Sequence, residues 1–278
     1  MNILTSLEIG YKKLKKIHSS YKIDSEILLS KTLNISREEM LLNLNKKIDQ
    51  ESQIRYLNFI EQRVKRVPVA YITKDKEFWK NKFAIDKNVL VPRPDTEILV
   101  DEILKLLKKN DSKCLLDIGV GSGCISISIL KERKLCKFIA IDTSGNALKV
   151  AKFNAKLHQL SNRIKFFKRG VDNFYYGKYD LVVSNPPYIS KHKIKYLGDV
   201  IHEPKIALDG GCDGLETIKK VISRSKYLLK NNGKLVLEIG FNQKYKVIEF
   251  LKKKNFLINR IIKDYGNNVR CIISTKIK

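Results

Sequence analysis

Residues 182–189 read VVSNPPYI. An apolar run that has the look of a buried strand stops at Asn185-Pro186-Pro187-Tyr188. Prolines end many strands, and a rigid turn is one reading of the segment. The other is a binding surface. The Asn185 side-chain oxygen and the Pro186 carbonyl are two acceptors, which match the two hydrogens of an –NH₂ group. Pro187 has no N–H to compete, and Tyr188 offers a flat face to a planar amide or a base.

A second segment, LLDIGVGSGCISISIL (115–130), reads as strand, turn and helix. Gly119, Gly121 and Gly123 allow a tight turn and let a ligand approach the backbone closely. A dinucleotide fingerprint would place glycine at 124, where this chain has Cys124. The next apolar run, KFIAID, ends at Asp142. An acidic group there can accept both ribose hydroxyl hydrogens of an adenosine. It can equally cap the following helix, a task Ser144 can also perform.

Together these residues favour an adenosine cofactor without a pyrophosphate. S-adenosylmethionine fits, because Asp117 would attract its ammonium and repel a pyrophosphate. The chemistry is then methyl transfer to nitrogen. An amide or ring-amine nitrogen is a poor nucleophile because its lone pair is delocalised. Two acceptors can rotate or polarise the group, leaving an in-line attack that needs mainly positioning and electrostatics. Proton loss can follow transfer, so no strong base is required.

The surrounding elements must bring these segments together. From residue 95 strands alternate with helices. Strands are expected at 114–118, 137–142, 164–168, 179–184 and 234–239, with helices at 145–158 and 214–230. Such alternation predicts a parallel sheet covered on both faces. Ligands in such sheets sit beyond the carboxyl ends of the strands. The last runs, 256–264 and 270–277, are joined only by YGNNV, too short for a crossover helix, so they should pair antiparallel. Residues 1–66 have helical spacing, with capping boxes expected at Thr5–Glu8 and Ser36–Glu39. A last helix is expected at 50–66, ahead of Pro68. His18 is expected to be exposed among lysines. Residues 69–92 suggest a short hairpin linking two domains.

Composition bounds the partners. Of 278 residues, 43% are hydrophobic and 30% charged, which fits a soluble globular protein. The amphipathic N-terminus lacks the apolar run of a signal peptide, and 114–130 is interrupted by Asp117 and glycines. A cytoplasmic location is expected. Five cysteines without C-x-x-C spacing argue against a disulfide framework or a zinc site, and no metal is expected. They read as small buried hydrophobes. The net charge is +26, yet Lys outnumbers Arg by 44 to 11. A polyanion-facing surface and compositional bias with solvated faces explain this equally well.

Several segments carry a family resemblance: PVAYI (68–72), VLVPRPDTE (89–97), DIGVGSG (117–123), NPPYI (185–189), EPKIALDGGCDGLE (203–216) and LEIG (237–240). The chain resembles the PrmC/HemK family of release-factor glutamine methyltransferases over essentially its full length. NPPY alone is shared with adenine amino-methyltransferases; PRPDTE and EP…AL-x-GG-x-DGL are more specific. The resemblance implies a Rossmann-like class I methyltransferase fold. That means a seven-stranded, mostly parallel sheet with an antiparallel C-terminal hairpin, at 93–278. A small helical domain at 1–68, joined through the 69–92 hairpin, would help grip the protein substrate.

The implied substrate is the glutamine of the Gly-Gly-Gln loop in peptide-chain release factors, methylated on its side-chain nitrogen. Gly119, Val120, Gly121, Ser122, Gly123 and Asp142 would bind the cofactor. Asn185 would contact cofactor and substrate, with Pro186, Pro187 and Tyr188 completing the amide pocket. Arg93 and Glu97 would organise the cofactor's amino-acid end or cap a helix at 95–108. A monomer that needs no nucleic acid is expected.

The chain departs from the family pattern in two places. Val120 stands where the family commonly has Thr, tolerable where only backbone meets the cofactor. KRGVDNFYY (168–176) leaves adenine recognition unassigned between Gly170 and Asp172. Two other functions compete. A nucleic-acid adenine methyltransferase would flip a base into the pocket and carry a base-reading domain. A non-catalytic RNA- or ribosome-binding protein would draw on the charge, but would not require an intact Asn185 and glycine turn.

Overall fold

The computed structural model describes residues 1–277 and divides them into two compact units. Met1–Asp75, joined by Gly198–His202, makes the first. Its helices are α1 (Ile3–Leu14), α2 (Tyr21–Leu33), α3 (Arg37–Leu42), α4 (Gln50–Val64) and α5 (Val69–Thr73). Leu7, Leu14, Leu28, Met40, Tyr56 and Ile60 recur at helical spacing and meet in one fully buried core. Gly10 is required by that packing: a Cβ there would lie 2.1 Å from the Tyr56 hydroxyl.

Local capping differs from expectation at one end. Ser36 caps α3 as expected, accepting from the Glu39 N–H at 3.0 Å. The first helix instead starts earlier than Thr5. Asn2 caps it, accepting from the Thr5 N–H at 2.9 Å and leaving Thr5 inside the helix. Asparagine is the stronger cap, and the Ile48 N–H bond to the Met1 carbonyl holds that end in place. α4 stops at Val64, and Arg66 takes a left-handed backbone. Pro68 then opens α5, so residues 69–73 are helical and not part of a hairpin.

His18 is not exposed; only 7% of its surface is accessible. The Arg63 guanidinium, which can only donate, lies 3.0 Å from its Nδ1. Nδ1 therefore accepts, and Nε2–H donates to the Arg63 carbonyl at 3.0 Å. Arg63 also donates to Asp24 at 2.7 Å, both side chains being buried.

The second unit comprises Lys76–Leu197 and Glu203–Lys278. A two-stranded ribbon, β1 (Asp75–Phe78) with β2 (Asn81–Ala84), precedes α6 (Glu97–Leu106). Then follow β3 (Cys114–Ile118), α7 (Cys124–Glu132), β4 (Lys137–Asp142), α8 (Gly145–Leu157), β5 (Ile164–Lys168) and β6 (Tyr179–Ser184). The one-turn α9 (Lys191–Ile194), α10 (Glu216–Leu228), β7 (Leu229–Glu238), α11 (Lys244–Lys253), β8 (Phe256–Lys263) and β9 (Val269–Lys276) complete it. The seven-stranded sheet has the order β5-β4-β3-β6-β7-β9-β8. Its first five strands are parallel and β9 runs antiparallel to both neighbours.

The central strands are apolar on both faces, as a covered parallel sheet demands: Leu115, Leu116, Val182, Val183, Leu235 and Val236 are all essentially inaccessible. Cys124, Cys136 and Cys271 are buried as small apolar groups, whereas Cys212 is exposed. No helix among the described residues is long and apolar enough to cross a membrane.

Candidate active site

Register brings the two motif segments together. Ile118 pairs with Ser184 on one side and with Ile141 on the other. Gly119 and Asn185, the first residues beyond β3 and β6, and Asp142, the last of β4, therefore lie side by side at one end of the sheet. The Ser184 hydroxyl reinforces this alignment by donating to the Ile118 carbonyl at 2.8 Å. Strand order changes direction here, where β3 lies between β4 and β6, and a crevice opens at such a point. A cavity of about 310 Å³ lies over it, lined among others by Gly119, Gly121, Asp142, Gly170, Asn185 and Pro187.

The glycine turn is left-handed at Gly119 (φ 78°) and Gly121 (φ 54°), conformations that L side chains resist. A Cβ at either would meet no atom within 4 Å, so bare backbone faces the cavity. Val120 and Ser122 are buried, and Gly123 is the N-terminal cap residue of α7. The Ser122 carbonyl accepts from Asn154 Nδ2 at 2.9 Å. Fully buried Asn154 also spans the Ala84 backbone with both ends of its amide, tying the turn to β2.

Asp142 braces the same turn. One carboxylate oxygen accepts from the Gly121 N–H at 3.0 Å and the other from the Ser144 N–H at 2.8 Å. Ser144 caps α8 by accepting from the Ala147 N–H at 3.1 Å. Capping thus falls to Ser144, and Asp142 lines the cavity. Burial raises the Asp142 carboxyl above its ordinary range, against the opposing backbone bonds.

Asp117, 1% exposed at the end of β3, is the more strained carboxyl. Burial pushes it up to about 7, with the nearby Asp142 charge adding to the shift. Ser126 opposes this, but its hydroxyl bonds the Gly123 carbonyl at 3.3 Å. Both Asp117 oxygens are left without a hydrogen-bond partner. Asp117 does not itself line the cavity, but a buried, unsatisfied carboxyl two residues before the bare glycine turn fits a nearby cationic ligand group. Asp142 beside it fits a ribose. The residues present therefore fit S-adenosylmethionine.

The NPPY loop is braced from outside. The Ile189 N–H bonds the Leu208 carbonyl at 3.1 Å, and the Gly210 N–H bonds the Ile189 carbonyl at 2.8 Å. Gly210 must be glycine, since a Cβ would sit 2.8 Å from the Pro187 carbonyl oxygen. Buried Gln243 donates to the carbonyls of Tyr188 at 2.9 Å and Gly214 at 3.0 Å. The segment 203–216 therefore shapes the loop. Asn185 Nδ2 donates to the Thr96 hydroxyl at 3.1 Å. Pro186 is buried, and the Tyr188 hydroxyl turns to Glu238 at 3.4 Å. Neither of these two lines the cavity.

Arg93 lines the cavity and ion-pairs with buried Glu203, whose other oxygen accepts from the Val91 N–H at 3.0 Å. Glu97 holds the Trp79 N–H at 2.9 Å and so anchors the β1–β2 turn. Thr96, Asn154, Glu203, Gln243 and Glu238 are structural partners that motif reading did not single out. Of these, Thr96, Glu203 and Glu238 were visible only as letters within the matching segments.

The chain matches the model of the methyltransferase small domain over residues 95–211 and that of the PrmC N-terminal domain over residues 6–73. It is 38% identical to the release factor glutamine methyltransferase of Buchnera aphidicola subsp. Acyrthosiphon pisum, covering 99% of both chains. It is 35% identical to that of Clostridium acetobutylicum, again over 99% of both.

Among solved structures, the ribosomal protein L11 methylase of Lactobacillus delbrueckii subsp. bulgaricus superposes with a TM-score of 0.52 at 20% identity. That match covers 69% of this chain and 84% of that one. A methyltransferase from Pyrococcus furiosus gives 0.53 at 20% identity, covering 70% and 89%. These two share the Rossmann-like fold of the second unit. The curated likeness runs through both units at well above that level, and by it the chain belongs to the release factor glutamine methyltransferase family.

Proposed function

We propose that this protein transfers a methyl group from S-adenosylmethionine to the side-chain amide nitrogen of the glutamine in the Gly-Gly-Gln loop of peptide-chain release factors. The observation that carries this reading is the alignment of Gly119, Asp142 and Asn185 on one cavity. Bound S-adenosylmethionine supplies the activated methyl. The backbone of Gly119 to Gly123 lets it approach, Asp142 holds the ribose, and Asp117 answers the positive charge.

The Asn185 side-chain oxygen and the Pro186 carbonyl accept the two hydrogens of the glutamine amide. They hold its nitrogen lone pair toward the cavity. Pro187 and Tyr188 keep that loop rigid, and the proton leaves after transfer. The helical unit contacts the release factor. Neither nucleic acid nor a second copy of the chain is needed, and the work is done in the cytoplasm.

The test offers labelled S-adenosylmethionine with release factor, its Gln-to-Ala loop variant, DNA and RNA in parallel. Label on the loop glutamine, absent from the variant, is the expected result. Label on adenine would replace this reading with that of a nucleic-acid enzyme. No label anywhere despite cofactor binding would overturn it.

Asp142→Ala is expected to weaken cofactor binding by about 1–3 kcal/mol, the size of lost charged hydrogen bonds. Titration calorimetry reads it directly. An unchanged Kd would refute the ribose role.

A further inference from the structure

A second groove, of about 330 Å³, runs along α10. Lys219, Lys220, Ser223, Arg224 and Tyr227 line it from the helix, and Asp172 lines it from the turn after β5. Residues 220, 223, 224 and 227 are three and four apart and share one helix face. Ile218, Val221, Ile222 and Leu228 take the other face into the core. Three cations thus meet one carboxylate in a groove to which the methyl transfer assigns no task.

Aromatic rings stand among these charges. Tyr227 is 65% exposed, and the consecutive Tyr175 and Tyr176 are 67% and 72% exposed. They are nonetheless held in place. The Arg224 guanidinium lies 4.1 Å from the centre of the Tyr175 ring and donates to the Asp172 carbonyl at 2.6 Å. The Tyr176 ring sets its edge against buried Phe174, with centroids 6.1 Å apart. The Tyr176 carbonyl accepts from the Tyr179 hydroxyl at 2.9 Å.

More positive charge gathers at the C-terminal end of α10. Lys178 donates to the Tyr227 carbonyl, and Lys276 donates to the Leu229 carbonyl at 3.1 Å. Burial lowers the Lys276 ammonium, and the neighbouring Lys178 and Lys226 charges lower it further. Three like charges crowded together are relieved by an anion. The Lys219–Asp213 and Lys220–Asp172 pairs, at 3.1 and 3.0 Å, do not close the groove. All four side chains are about half exposed, and pairs of that kind are worth little and exchange readily for a phosphate.

We propose that this strip binds a single strand of nucleic acid, with phosphates on the lysines and Arg224 and bases stacked on the tyrosines. Cations that follow a backbone, interleaved with exposed rings that take base faces, are what such a strand requires. A carboxylate-rich protein face would meet the cations and leave the rings without a flat partner. A duplex would supply phosphates but keep its base faces stacked on one another. The net charge of +26 adds attraction at long range.

The test is fluorescence anisotropy on the full chain with a labelled RNA of about 12 nucleotides, within the usual site size for single strands. The RNA lacks adenine, so the methyl-acceptor pocket does not compete for it. Binding is expected, weakening from about 50 to about 200 mM salt. Tyr175→Ala and Tyr227→Ala should each weaken it about tenfold, with Tyr175→Phe and Tyr227→Phe close to wild type. Lys178→Gln combined with Lys226→Gln should lower the slope of log K against log salt by about 1.4, and the tyrosine variants should leave that slope alone. None of these four residues lines the cofactor cavity, so the Kd for S-adenosylmethionine should not move.

No binding at the lowest salt overturns the proposal. So does equal affinity for a duplex of the same length, with no loss in the tyrosine-to-alanine variants, which would leave only counterion attraction. Polyglutamate of matching charge that displaces the RNA as well as unlabelled RNA does would also overturn it, and would turn the strip into a face for an acidic protein.

Discussion

Asn185→Ala is expected to lower kcat by roughly 10²–10³-fold, the cost of removing one preorganised polar contact from a reaction site. The loss should fall on kcat more than on cofactor binding. The glycine turn, Asp117 and Asp142 hold their places through bonds that do not involve Asn185: Gly119 and Val120 to the Ile141 carbonyl, and Gly121 to Asp142. Asn185 itself stands at the outer end of β6, between that turn and the Thr96 hydroxyl. Alanine removes the acceptor and frees the Thr96 oxygen, but leaves Pro186 and Pro187 to keep the backbone course. Single-turnover transfer and cofactor titration on the same variant separate the two effects. Full transfer by the variant would sink the amide geometry. A parallel collapse of cofactor affinity would move Asn185 from substrate to cofactor.

How far the site could be read in the sequence follows from the range of its interactions. Gly119–Gly123 and Asn185–Tyr188 were legible because each is a short segment whose chemistry is local: backbone freedom in one, rigidity and acceptors in the other. Parallel register then had to set Gly119 beside Asn185, since both directly follow strands that pair as neighbours. The supporting residues were not legible. Asn154 meets Ala84 across 70 residues, and Glu203 meets Val91 across 112. No period or spacing marks such pairs. Local rules also failed where two candidates competed. Thr5 had the capping-box pattern, but Asn2 caps the helix one turn earlier by accepting from the Thr5 N–H itself. His18 looked like one more polar residue in a lysine-rich stretch until α4 delivered Arg63 against it. Residues 198–202 carried no signal that they belong with the helical unit.

The buried Asp24–Arg63 pair yields the largest expected stability effect. Removing one partner of a buried ion pair costs about 3–5 kcal/mol, because the survivor's charge stays out of water without that partner. Asp24→Ala removes the carboxylate to which Arg63 donates at 2.7 Å, while its bonds to the Val67 carbonyl and His18 Nδ1 stay in place. Arg63 is 5% exposed, so water does not replace the lost carboxylate without opening the helices.

Hydrogen exchange of the α2 and α4 amides reads that opening in the helical unit alone, independently of the sheet. The expected result is faster exchange by the equivalent free energy, while the exposed Lys13–Glu61 pair changes little when Glu61 is replaced. Asp24→Leu combined with Arg63→Met should recover most of the loss, since an apolar pair needs no compensation. A single-variant loss no larger than that of an exposed pair would mean the guanidinium finds solvent. A double variant as unstable as the single one would mean that His18 and the Arg63 backbone bonds, not the charge pair, hold α2 to α4.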